Sequence, residues 1–290
     1  MSIASILAVL SGGKESEAAL QTALAFGRAF DAHVRLLHVP LDPTHTLPLL
    51  GEGMPAAMMS DLTASLAAEG ERTRKTVQQL FERHCRAAGV PIVQQDEMPP
   101  AGRFSVCLSI ANGSEPEMVA EEGRLHDLIV LSRSPAEEGF SGPTLEAALF
   151  ESGRPVLIAP RQGLTQLPAR LAVAWNGTRE SVRAVALTLP LLARAREIVI
   201  ISGEGKDDRP VAHPSALQRY LTLQGIGADT WQYLPEDWPV STSLVAQAKK
   251  ASAGLLIMGA YGHSRLRELV LGGATRAALK AGDLAVLMVH

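Results

Sequence analysis

Leu255-Leu-Ile-Met258 runs directly into Gly259-Ala-Tyr-Gly262-His-Ser-Arg-Leu-Arg-Glu-Leu-Val-Leu-Gly272-Gly273-Ala-Thr275, and this stretch decides how the rest of the chain is read. An apolar run this short is too brief for a helix and fits a strand buried on both faces. Residues 274–280 then read as a short helix, so the local order is strand, glycine loop, helix. Glycines let a ligand approach the main chain, and the N–H groups at a helix start converge on one spot together with the positive end of the helix dipole. Those are the properties of a phosphate site. His263, Arg265 and Arg267 add donors and positive charge to the loop. The same glycines also serve simply to turn a chain, and such a motif carries weight only between a strand and a helix.

Outward from this stretch, the second half alternates strands and helices. Strands are expected at 171–175, 197–202, 229–233, 255–258 and 285–289, and helices at 178–193, 213–224 and 240–251. Parallel neighbours need a crossover helix, so this alternation predicts a parallel sheet. The first half follows the same plan. Strands are expected at 6–10, 34–39, 92–95, 127–131 and 155–159, with a short extra strand at 103–110. Helices are expected at 16–30, 61–88 (capped by Asp61), 116–125 and 144–151. On the 61–88 helix, His84 joins an apolar stripe with Leu62, Leu66, Val77, Leu80 and Phe81, which fits a satisfied core residue. Two echoes mark a duplication: Leu171-Ala-Val-Ala-Trp-Asn-Gly177 matches Leu7-Ala-Val-Leu-Ser-Gly-Gly13, and Asp283-Leu-Ala-Val-Leu-Met288 matches Arg154-Pro-Val-Leu-Ile-Ala159. The expected division is therefore 1–160 and 170–290, joined by a Pro, Gly and Gln-bearing linker at 161–169. Residues 41–60, with Met54, Met58 and Met59, form an apolar insertion that reads as a lid, a contact surface or a packed loop.

The spacing Gly259, two residues, Gly262, nine residues, Gly272 resembles the nucleotide loop of the universal stress protein family. The resemblance covers essentially the whole chain in the family's tandem form. It implies an α/β fold of two Rossmann-like (adenine nucleotide alpha hydrolase-like) domains, each a five-stranded parallel sheet of order 3-2-1-4-5 with helices on both faces. A sheet of that order binds ligands where the strand order reverses, outside the carboxyl ends of its first and fourth strands. In the second half that crevice is bounded by Ala174, Trp175, Asn176, Met258 and Gly259, with Ser202 ending the neighbouring strand. The resemblance implies contacts to ATP or another adenine nucleotide from these residues and from Gly262, His263, Arg265, Gly272, Gly273, Ala274 and Thr275. Mg2+ would enter with the phosphates, without a dedicated protein cage. Asn176 stands where the family commonly has aspartate, and Gly273 where it commonly has a hydroxyl residue. Trp175 is placed either to stack on adenine or to cover the core. The implied role is that of a stress-response regulator, with slow ATP hydrolysis at most.

The first half departs from the pattern. After its fourth strand stand Ser132-Arg-Ser-Pro135-Ala-Glu137-Glu138, with Ser132 and Pro135 at the glycine positions and two carboxylates that repel phosphate. A first half that holds no nucleotide in the family's manner is the expectation. Ser11-Gly-Gly-Lys-Glu-Ser16 resembles a second pattern, the SGGxDS loop of the ATP pyrophosphatase family, with Glu15 in place of the usual Asp. That reading makes the chain an adenylating enzyme; the alternative is a strand-to-helix turn capped by Ser11 or Ser16. A third reading leaves both crevices empty and the chain an interaction protein.

Composition narrows the partners. The 290 residues carry a net charge of -3, which gives no broad basic surface for nucleic acid. Cys85 and Cys107 have no metal-ligand spacing and read as buried small hydrophobes in a reducing, cytoplasmic setting. Residues 1–10 lack the basic start and long apolar core of a signal peptide, and no run approaches the roughly twenty residues of a membrane span. In the fold that the resemblance implies, the last strand of each half lies at a sheet edge, so 285–289 is expected to meet 155–159 and make the chain its own pseudo-dimer, with a homodimer as a further expectation.

Overall fold

In the computed structural model, which describes residues 2–41, 43, 56–95, 97–133, 142–203, 213–233, 240–260 and 273–290, the strands lie in one continuous sheet. The first half supplies β1 (Ser5–Val9), α1 (Ser16–Phe30), β2 (His33–His38), α2 (Ala56–Ala87), β3 (Ser105–Ile110), α3 (Glu115–Gly123), β4 (Leu128–Leu131), α4 (Pro143–Glu151) and β5 (Val156–Ile158). The second supplies β6 (Arg170–Ala174), α5 (Arg179–Leu192), β7 (Glu197–Gly203), α6 (Pro214–Leu223), β8 (Asp229–Tyr233), α7 (Val240–Lys250), β9 (Leu255–Gly259), α8 (Gly273–Lys280) and β10 (Ala285–Val289).

The strand order is β3-β2-β1-β4-β5-β10-β9-β6-β7-β8, so each half has order 3-2-1-4-5 and the halves meet at their fifth strands. Within each half the pairings are parallel, whereas β5 and β10 are antiparallel, with Ile158 opposite Val286, Leu157 opposite Leu287 and Val156 opposite Met288. The two expected sheets are thus joined edge to edge, and each fifth strand has a neighbouring strand on both sides.

Helices cover both faces. Alternate strand residues such as Ile6, Ala8, Val173 and Leu287 pack with α1, α2, α5 and α6; the intervening ones, such as Leu7, Val9, Ala172 and Met288, pack with α3, α4, α7 and α8. Strands covered on both sides read as unbroken apolar runs, which is why β1, β4, β9 and β10 are legible. Each core passes from one half into the other. The 161–169 segment is pinned rather than loose: Leu164 N–H donates to Thr22 Oγ1 at 3.0 Å, and Arg161 N–H to Gly282 O at 2.7 Å. Arg194 lies over the Phe30 ring, 4.7 Å from its centroid, adding a cation–π contact between halves.

Two local expectations are corrected. The third strand of the sheet is Ser105–Ile110, not 92–95; Ile92 makes only an isolated bridge to Val106. The segment lies along the outer edge of β3, where Pro91 O accepts from Val106 N–H and Val93 N–H donates to Val106 O, both at 2.9 Å. Asp61 does not cap α2, which is already helical at Ala56. His84 is half-buried and bonds Glu17 Oε1 at 2.8 Å, so it is partnered rather than sealed in the core. Of the apolar insertion, Met54 lies outside the described residues, while Met58 and Met59 belong to the first turn of α2. Cys85 and Cys107 are both buried, and burial pushes the Cys85 thiol up to about 12. Among the described residues no helix is long and apolar enough to cross a membrane.

Candidate functional site

The strand order reverses twice, at β1 beside β4 and at β6 beside β9, and a sheet of this order binds ligands outside the carboxyl ends of those strands. In the second half, the register Val173 to Ile257 sets Ala174 level with Met258 at the crevice floor. Trp175 continues β6, its N–H donating to Ile201 O at 2.9 Å, and Ser202 is the next residue on β7. The structure therefore gathers Ala174, Trp175, Asn176, Ser202, Met258 and Gly259 at one end of the sheet. Gly273 and Ala274 open α8, and Thr275 in its first turn is buried at 2% exposure. The expected contacts at Gly262, His263, Arg265 and Gly272 lie outside the described residues.

Local bonding defines what these groups can offer. Trp175 is 8% exposed and packs in the core layer with Leu171 and Val173, the covering role rather than an open stacking platform. Asn176 Oδ1 accepts from Thr178 N–H at 3.2 Å and from Thr178 Oγ1 at 2.9 Å. Thr178 Oγ1 in turn caps α5 by accepting from Ser181 N–H at 3.4 Å. Burial pushes the Glu180 carboxyl up, yet its own N–H, Thr178 and the Arg179 guanidinium together hold it below the ordinary carboxylate value. Neither Glu180 nor the α5 cap was identified as part of this crevice from sequence, although threonine is a preferred N-cap residue and Thr178 begins the expected helix.

Gly259 has a different reason to be glycine from the one the sequence suggests. A Cβ there would lie 2.7 Å from the Glu180 carbonyl carbon and 2.7 Å from Ser181 N, which are backbone atoms of α5. The missing side chain admits the first turn of α5 and not a ligand. Gly259→Ala is therefore expected to cost about 1–3 kcal/mol, because backbone cannot move aside as a side chain can; denaturant unfolding measures it.

In the first-half crevice the loop after β1 is described and is closed by its own chemistry, whereas Pro135, Glu137 and Glu138 after β4 lie outside the described residues. Gly12 N–H donates to Ser16 Oγ at 2.9 Å and Gly13 N–H to Ser11 Oγ at 3.2 Å, while Ser11 Oγ donates to Glu15 Oε1 at 2.9 Å. The Glu15 carboxylate folds back over Gly13, where a Cβ would overlap it, and Thr73 of α2 covers Gly12, whose φ is +87°. The amides a pyrophosphate would need are taken, and a carboxylate stands above them. This geometry is a strand-to-helix turn bonded to itself, although neither Ser11 nor Ser16 caps α1, whose N-cap residue is Glu15 with no side-chain cap bond, and it works against the adenylating reading. A cavity of ≈ 1150 Å³ beside the loop is lined by Glu15, Glu17, Glu69 and Glu115 against Lys14 and Arg72. Burial raises the Glu115 pKa, with the Thr144 hydroxyl, 2.7 Å away, acting in the opposite sense. Pro143 opens α4 without an N–H to offer.

Comparison with known proteins agrees with this fold. No protein-family model matches the chain. A universal stress protein of Synechocystis sp. is 23% identical over 209 residues, 70% of this chain and 72% of that protein. In fold, the crystal structure of a universal stress protein from Archaeoglobus fulgidus superimposes with a TM-score of 0.69 at 15% identity, covering 99% of this chain and 96% of that one. A Pseudomonas aeruginosa protein described as functionally unknown superimposes with a TM-score of 0.58 at 15% identity, covering 99% and 92%. Similar in sequence along 70% of its length to one universal stress protein and alike in fold along nearly all of it to another, the chain resembles the universal stress proteins and shares their fold.

Proposed function

We propose that the chain is a nucleotide-responsive stress protein that binds one adenine nucleotide, ATP with Mg2+, in the second-half crevice. The observation that carries this reading is positional: the glycine-spaced stretch joins the end of β9 to the start of α8, at the strand-order reversal between β6 and β9. Amides at the start of α8 and the basic residues His263 and Arg265 would take the phosphates. Asn176, whose Oδ1 is engaged by Thr178, would offer its NH2 donors to the nucleoside. The nucleotide-carrying domain is then 170–290, with 1–160 as a partner domain whose acid-lined crevice takes no phosphate and 161–169 as the joint. The one carboxylate on the described rim of the second crevice, Glu180, is committed to the α5 cap, which suits a binding protein better than a hydrolase. Native mass spectrometry of the purified chain tests this. One adenine nucleotide per chain, retained or taken up on incubation with ATP and Mg2+, is expected. A chain that takes up none would leave a duplicated scaffold acting as an interaction protein.

A further inference from the structure

The guanidinium of Arg133 leaves the end of β4 and enters the other half. Nη1 donates to Ala278 O at 3.1 Å and also to Leu279 O, and Nη2 donates to Leu284 O at 2.6 Å. Ala278 and Leu279 lie in the last turn of α8, whose final carbonyls have no partner inside the helix. A planar cation there satisfies several carbonyls at once and meets the negative end of the helix dipole. Its cost in lost hydration is visible: burial pushes the Arg133 pKa down to about 10, with Arg161 adding to the effect and Asp283 opposing it. Leu279 also joins Ser132 and Arg133 in lining a cavity of ≈ 260 Å³ in the first-half crevice, so α8 forms part of that wall.

The reciprocal contact between halves has different chemistry. Counting from the strands, Ala260 after β9 occupies the place that Arg133 holds after β4. There His290 Nδ1 lies 3.2 Å from Ala260 O while its ring stacks edge-on against Phe150 of α4, at 4.8 Å between centroids. Among the described residues, a guanidinium reaches across to grip the carboxyl end of the helix opposite in one direction alone. That helix spans about 12 Å at 1.5 Å per residue, and its other end is the one assigned to phosphate above.

We propose that Arg133 is a positioning residue for the second-half crevice: by tethering the carboxyl end of α8 to β4, it fixes the amino end of that helix and places nucleotide affinity under the control of the first half. This rests on the nucleotide reading, and the test separates the two. Hydrogen exchange and ATP titration are compared for the full-length wild type, Arg133→Ala and Arg133→Lys. Exchange of the amides at 275–281 in the ATP-free protein is expected to rise about tenfold in Arg133→Ala, with α1 unchanged, and ATP affinity to fall about tenfold. Arg133→Lys, which keeps the charge and a donor, should lie between. Unchanged exchange in α8 overturns the tether, whatever happens to ATP. Faster exchange with unaltered ATP affinity overturns the control of the crevice, as does a lower melting temperature alone. A wild type that binds no ATP overturns the nucleotide reading itself, while exchange still decides whether Arg133 holds the helix.

Discussion

Shortening Leu287 to alanine is expected to cost about 2–5 kcal/mol and to move a single unfolding transition of the entire chain. Leu287 sits on β10 directly opposite Leu157 on β5, at the antiparallel seam, and both side chains are buried in the same core layer. A cavity there cannot be filled by the helices, which are already held by contacts on both sides of the seam: the 161–169 segment on α1, Arg194 on Phe30 and Arg133 on α8. Because each core layer is shared between halves, loss of packing at the seam weakens both together. Calorimetry and denaturant unfolding followed by two probes measure this. Two separated transitions, or a loss confined to the second half, would show that the halves fold independently.

Acidification is expected to be the other large effect. His33, His38 and His126 all lie in the first half and all have pKa values held down by burial. For His33 the fall is from 6.5 to about 4, with the Arg35 and His126 charges assisting. Its ring is already committed, to Ser105 Oγ at 2.9 Å and Cys107 Sγ at 3.4 Å. His38 Nδ1 lies 2.7 Å from Leu10 O, and its Nε2 has no hydrogen-bond partner among the described residues. In the unfolded chain these rings take a proton near pH 6.5, whereas the folded chain resists it. The stability they preserve is complete above the unfolded value and is lost as the pH falls through the folded one. His33 is only half-buried, so solvent screening reduces its share to about 1–2 kcal/mol. Denaturant unfolding between about pH 7 and 4 should show this decline, and His33→Gln should flatten it. An unchanged slope in that variant would place the acid sensitivity elsewhere.

Much of this architecture was legible in the residues. Helix α1 and strand β10 match their expected bounds because long apolar periodicity and unbroken apolar runs report burial directly, and β8 matches its bounds too, although its Asp-Thr-Trp-Gln-Tyr is not an apolar run. The seam between 155–159 and 285–289 was readable from the duplication once the fifth strand was placed at an edge. The third strand was not, since 92–95 and 105–110 are both short apolar runs and only pairing with β2 chooses between them. The crevice was located by the strand order, yet its chemistry was only partly visible. That Glu15 would fold over Gly13, or that α5 would press against Gly259, depends on neighbours brought together by the fold. Arg133 stands in plain view after β4, but its partners at 278, 279 and 284 lie far along the chain.

The two crevices share a scaffold and differ in what fills it. One has its loop amides occupied by Ser11 and Ser16 beneath a carboxylate; the other joins a glycine-spaced stretch to a helix start. Calorimetric titration with ATP and Mg2+ asks most directly whether that difference sets function. A single site per chain is predicted, abolished by Gly272→Trp and unaffected by Ser11→Ala. Two equivalent sites, no binding, or a site that disappears with Ser11 instead would contradict it.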